Sequence, residues 1–164
     1  MKDLKGLTPL HDAAEKGHEE ICKIIIDSVE NKNPNDALGN TPLHLAAKKG
    51  HRHICKLIMD VVINKNPKNK DGCTPLHNAI EEGNMSICKL ITDRIEDSSF
   101  IAKVVRKYRA TEMREISLDL GQIITNVHEL NTELWYGVAP DGNYGCFPAN
   151  CAEVYGRPTK KRKM

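Results

Sequence analysis

Seven histidines and six cysteines are the residues of this 164-residue chain best suited to chemistry. Three of each recur at a fixed interval: His11, His44 and His77 stand 33 residues apart, and so do Cys22, Cys55 and Cys88. Imidazoles and thiolates gathered in one cluster would mean a metal site, or a nucleophile with its base. The spacing argues against both. No C-x-x-C pair occurs, and a residue that returns once per repeat does one structural job in each. For the histidines that job is expected to be a hydrogen bond to the neighbouring repeat, beside a capping threonine. For the cysteines it is packing as a small apolar residue. The nucleophile–base arrangements and phosphate loops of enzymes are lacking, so no catalytic residue, metal or cofactor is expected, and the chain is expected not to be an enzyme.

The elements that carry these residues repeat with them. Thr8-Pro9-Leu10-His11 returns as Thr41-Pro42-Leu43-His44 and Thr74-Pro75-Leu76-His77. Ile21-Cys22-Lys23 returns at 54–56 and 87–89, and Asn31-Lys32-Asn33-Pro34 at 64–67. Threonine caps a helix and proline fills its first turn, where a missing N–H does no harm. Leu10, Ala13 and Ala14 give that helix a small-residue face. Gly17-His18 and Gly50-His51 break it, and a second helix follows with Ile21, Ile24 and Ile25 on one face at helical spacing.

This pattern resembles the ankyrin repeat, whose string T-P-L-H-x-A-A-x-x-G-H stands at residues 41–51. Three repeats are expected, at about 6–38, 39–71 and 72–98, forming an α-helical solenoid. Val29 and Val62 replace the glycine that follows the second helix in the family, so that helix is expected to run longer. The third repeat has Ile80 for the second alanine and Asn84 for the histidine. The resemblance implies a protein-binding face made of turn tips and first helices. Its candidates are Asp36, Leu38, Asn40, Asn69 and Asp71 at the tips, with Leu45, Lys48, Lys49, Asn78, Glu81 and Glu82 on the helices. Together with the acids of the first repeat, that face runs acidic, basic, acidic.

From Phe100 the chain changes character, because Trp135, all four tyrosines and both phenylalanines lie at or beyond it. Ala102-Lys103-Val104-Val105, Glu115-Ile116-Ser117-Leu118, Gln122-Ile123-Ile124, Leu134-Trp135-Tyr136-Gly137-Val138 and Gly145-Cys146-Phe147-Pro148 read as short strands, which predicts a small β-barrel. The stretch resembles a Src-homology-3 (SH3) domain. The family's A-L-Y-D-Y aligns with Val104-Val105-Arg106-Lys107-Tyr108, and its closing F-P-S-N-Y with Phe147-Pro148-Ala149-Asn150-Cys151. The resemblance implies a groove for proline-rich left-handed helices. Tyr108, Trp135, Pro148 and Asn150 would line it, and Glu115 falls where the family holds the acid that pairs with a ligand arginine. Arg106 and Cys151 replace two groove tyrosines. The outer proline pocket is therefore expected to be weak or gone, and the partner to be an atypical proline-rich peptide, an Arg- or Lys-containing peptide, or a folded protein. Arg106 would also suit an acid in the ligand.

The fold expected is thus α + β in two domains, a solenoid over 1–98 and a barrel over 100–156, followed by a basic tail at 157–164. Residues 1–99 carry 14 Lys/Arg against 15 Asp/Glu, and the remainder 10 against 7, four of the ten being Lys160, Lys161, Arg162 and Lys163. Neither domain is basic enough to suggest a nucleic-acid surface. No apolar run is long enough for a signal peptide or a membrane span, so a cytoplasmic monomer that binds proteins is expected. The basic run is a nuclear-import candidate. The function expected is that of an adaptor or scaffold in signalling; the alternative is a nuclear regulator that masks a transcription factor.

Overall fold

The computed structural model describes residues 2–95, 100–112, 114–130 and 132–156. The junction at 96–99 and the basic tail at 157–164, with its import candidate, lie outside the described residues. The chain divides into two units, Met1–Arg94 and Ile95–Met164.

The first unit is three helix pairs. They are α1 (Pro9–Lys16) with α2 (Glu19–Ser28), α3 (Pro42–Lys49) with α4 (Arg52–Val61), and α5 (Pro75–Glu81) with α6 (Met85–Thr92). Each first helix starts as its sequence dictates, with Thr8, Thr41 or Thr74 extended at the N-cap and a proline behind it. Gly17 and Gly50 close α1 and α3 at φ +81°, a left-handed turn that other residues adopt only with strain. Leu10, Ala13 and Ala14 are buried, as are Leu43, Ala46 and Ala47 one period on. Alanine lets first helices approach closely along the stack, while the Cys22, Cys55 and Cys88 column is buried in the second helices. The turn tips join as well: Ala37 N–H donates to Lys5 O at 2.9 Å, and Lys70 N–H to Leu38 O at 3.0 Å.

One expectation for the second helices needs correction. They do not run longer where the family glycine is missing. Val29 and Val62 are extended residues just past the ends of α2 and α4. At the end of α2 a lysine caps the last carbonyls: Lys32 Nζ donates to Ile26 O at 2.6 Å and to Val29 O at 2.9 Å. A cation on the last carbonyls satisfies orphan acceptors and complements the helix dipole. The apolar face of Ile21, Ile24 and Ile25 is not the buried face of α2. Cys22 and Ile26 are buried, whereas Ile21 is 48% and Ile24 is 68% exposed. Their position relative to the stack explains this. Ile54 and Ile87, the counterparts of Ile21, are 2% and 0% exposed because each has a preceding repeat to pack on.

The second unit is an antiparallel five-stranded sheet in the order β4-β3-β2-β1-β5. The strands are β1 (Phe100–Val104), β2 (Ile123–Glu129), β3 (Leu134–Val138), β4 (Tyr144–Pro148) and β5 (Ala152–Gly156). Register breaks within β1–β2, β1–β5 and β2–β3 bend the sheet on itself. Ala102, Val104, Ile116, Leu118, Ile124, Val127, Ala139, Phe147 and Ala152 fill the core. The stretch 115–118, expected to be a strand, is instead one arm of a long loop between β1 and β2. It touches the sheet through two isolated bridges, Tyr108 with Leu118 and Glu115 with Cys146. Gly145 permits that approach, since a Cβ there would lie 2.6 Å from Ile116 Cγ2 and 2.9 Å from Arg114 O. A 3-10 turn at Ala149–Cys151 leads into β5.

Candidate protein-interaction site

His11 and His44 each bridge to the backbone of the next repeat rather than line a reaction centre. The backbone N–H groups of Thr8 and Thr41 donate to Nδ1 of His11 and His44 at 3.1 and 3.0 Å. With Nδ1 accepting, Nε2 carries the proton, and it points at a carbonyl of the next repeat: Asn40 O for His11 and Cys73 O for His44, both at 3.1 Å. Thr74 N–H makes the same bond to His77 Nδ1 at 3.2 Å. Burial lowers the pKa of His11 and of His44, so these imidazoles are neutral struts. Burial likewise pushes the thiols of Cys22 and Cys55 up to about 11 and about 12, which leaves them poor nucleophiles.

A second set of struts was not foreseen. His51 Nε2 bonds to Glu15 O at 3.0 Å, and its ring lies over Gly17. In the third repeat Asn84 takes the same place, donating to Ala47 O at 2.9 Å and to Lys48 O at 3.3 Å. The Gly-His pairs at 17–18 and 50–51 carried this signal, because a residue large enough to bond across repeats needs a bare neighbour beneath it.

Several tip candidates are occupied in holding the tips. Asp36 Oδ1 accepts from Leu38 N–H at 2.8 Å and Asn40 N–H at 2.7 Å, and Asn69 Oδ1 accepts from Asp71 N–H and Cys73 N–H. Asn69 Nδ2 donates to Asn40 Oδ1 at 2.9 Å, linking adjacent tips. Asn78 Nδ2 donates to His44 O at 3.2 Å. Leu38 (60% exposed), Asp71, Lys48, Lys49, Glu81 and Glu82 are exposed, and Leu45 is half-buried. Lys49 lies 3.8 Å from Glu15 in an exposed ion pair.

In the barrel, Tyr108 and Trp135 are half-buried and pack on the same core. Trp135 stands edge-on to Phe147, with ring centroids 6.2 Å apart at 83°, which fixes the indole as a wall. Pro148 is half-buried and Asn150 exposed, just before the 3-10 turn and within it. Cys151 is 4% exposed; its carbonyl accepts from Val105 N–H at 2.9 Å and Arg106 N–H at 3.1 Å. The two departures from the family's tyrosines are therefore stitched together by backbone, with the Arg106 side chain exposed. Glu115 is tied into its own loop. Its Oε2 accepts from Thr111 N–H at 2.7 Å, Thr111 Oγ1 at 3.1 Å and Glu112 N–H at 3.1 Å. These donors, led by Thr111 N–H and joined by the Tyr108 hydroxyl, hold the carboxyl below the usual carboxylate range. Burial and that same bond raise Tyr108 to about 12.

Fold and site together define a protein built of two non-catalytic binding modules, one helical and one barrel. The family model for Ankyrin repeats (3 copies) matches residues 10–99, and that for the variant SH3 domain matches residues 101–155. The chain belongs to the ankyrin-repeat family and carries a variant SH3 domain after the repeats. It is similar to Drebrin-like protein B of Xenopus laevis, at 39% identity over 59 residues, which is 36% of this chain and 16% of that protein. It is also similar to Drebrin-like protein of Mus musculus, at 38% over 53 residues, or 32% of this chain and 12% of the relative. The chain thus spans less than a fifth of the length of the relatives it matches.

Proposed function

We propose that the chain is a non-enzymatic adaptor that engages protein partners through the ankyrin face and a peptide through the barrel groove. The observation that carries this reading is the indole of Trp135, packed edge-on against Phe147 on the core that Tyr108 also packs on, with Pro148 paired to the strand neighbour Leu134. A rigid aromatic wall beside a proline suits a preformed proline-containing helix, whose low entropy favours binding to shallow grooves. On the solenoid, the exposed Lys48, Lys49, Asp71, Glu81 and Glu82, with the apolar Leu38 at a tip, offer a largely charged surface for a folded partner. Binding of the purified chain to an array of proline-containing peptides tests the groove, with Trp135→Ala as the control. The expected result is binding that falls about tenfold or more in the variant, the scale of a hot-spot aromatic. Equal binding by both proteins would remove the groove from the proposal.

The basic run Lys160-Lys161-Arg162-Lys163 belongs to the proposal as an import signal. Fused to a fluorescent reporter too large to diffuse through nuclear pores, the tail is expected to concentrate it in the nucleus. Exclusion of that fusion would confine the adaptor reading to the cytoplasm.

A further inference from the structure

The charge preference of the groove rests on the peptide-binding reading just proposed. An SH3 groove that reads a ligand cation needs an acid with an oxygen to spare. Glu115 is engaged: its Oε2 already accepts three hydrogen bonds from Thr111 and Glu112, and the carboxylate holds the Tyr108 hydroxyl as well. It also lines a polar depression with Ser117, Asp141, Asn143 and Tyr144, which neither Trp135 nor Pro148 borders. A carboxylate saturated by local donors attracts an incoming guanidinium less, since that bond must displace one already made.

The other end of the groove carries the opposite sign. Arg106 stands at one of the two tyrosine positions and is exposed. Lys107 and Arg109, in the same loop after β1, are drawn off by Asp119, at 3.1 and 3.4 Å. Among the described residues Arg106 has no acidic partner. Its backbone N–H is fixed on Cys151 O at 3.1 Å, so its Cα is held beside the 3-10 turn that carries Asn150. Cys151, in the second tyrosine position, is buried and contributes no aromatic wall. A planar guanidinium on an anchored backbone, with no carboxylate of its own among the described residues, is suited to bidentate pairing with a carboxylate.

From this we infer that the groove takes a proline-containing peptide carrying an acidic side chain, held by Arg106 at the outer position, and thereby reverses the charge preference of the family.

The experiment uses the full chain and three labelled peptides with a Pro-Ala-Pro-Pro-Ala-Pro core. They differ only in the residue flanking the core at both ends, which is Asp, Asn or Lys. Fluorescence anisotropy at low salt is expected to show the Asp peptide bound about tenfold more tightly than the Lys peptide, with Asn between them. Arg106→Glu should invert that order. The side chain is exposed and its backbone bond to Cys151 survives substitution, so the barrel should still fold; Trp135 fluorescence verifies this. Tightest binding of the Lys peptide, or an order unchanged by Arg106→Glu, overturns the inference while leaving the groove intact. If no peptide binds and Trp135→Ala changes nothing, the groove reading falls, and this inference with it.

Discussion

Gly17 and His51 show how one atom is decided by its neighbour a repeat away. A Cβ on Gly17 would lie 2.6 Å from His51 Cε1, and the glycine's φ of +81° is strained for any other residue. Gly17→Ala therefore faces two separate costs. The left-handed backbone costs about 1–2 kcal/mol, and moving the ring sacrifices the bond to Glu15 O, worth about 1 kcal/mol. Truncating the ring by His51→Ala already loses that bond but leaves room for the methyl. In a double-mutant cycle read by urea unfolding, the double variant should be less destabilised than the sum of the singles by about 1 kcal/mol. Strict additivity would show that the ring and the methyl never compete. The same logic places Asn84 over Gly50, where a Cβ would come 3.1 Å from Asn84 Oδ1.

At the scale of the element, α2 and α4 end differently although the same Asn-Lys-Asn-Pro follows each. Lys32 bonds two carbonyls at the end of α2, at 2.6 and 2.9 Å, whereas Lys65 reaches only Val62 O, at 3.4 Å. Lys32→Ala should therefore destabilise the solenoid by about 1 kcal/mol, the worth of a charge-assisted bond at a helix end. Lys65→Ala should cost only about 0.3 kcal/mol by the same scale. Denaturant midpoints of the two variants check this, and equal losses would refute the capping role. Such contrasts mark what the sequence could and could not disclose. The period of 33 residues located every first helix and the histidine struts, because capping chemistry is local. It could not tell Ile21 from Ile54, which occupy the same register and differ only in whether a repeat lies against them. In the barrel, Tyr108, Trp135 and Pro148 were legible from the family string. The engagement of Glu115 was not, since its donors on Thr111 and Glu112 depend on how the loop closes. Strand β5 was missed for a related reason. Glu153, Val154 and Tyr155 are all exposed and show no alternation, and only their pairing with β1 makes them a strand.

For the whole molecule, both units share one chemical feature, a buried imidazole kept neutral by burial. His11 and His44 lie between repeats of the solenoid, and His128 lies in the barrel, where burial brings its pKa down to about 4. An unfolded histidine titrates near about 6.5. Between those values the unfolded chain binds more protons, so stability rises with pH and is lost as pH falls below about 6.5. For His128 the loss between about pH 7 and about pH 5 amounts to about 2 kcal/mol. His11 and His44 act in the same direction on the solenoid. Glu115 and Asp119, whose pKa values are lowered, add their own loss only at still lower pH, as they protonate. The units can be followed separately, because Trp135 is the single tryptophan and sits in the barrel, while helical circular dichroism follows the solenoid. Urea midpoints from both signals should fall together between about pH 7.5 and about pH 5. His128 Nε2 has no hydrogen-bond partner among the described residues, so His128→Leu removes a titrating group without orphaning another. In that variant the tryptophan signal should lose most of its pH dependence while the helical signal keeps its own. An unchanged slope in both would assign the acid sensitivity of the barrel to its carboxylates instead.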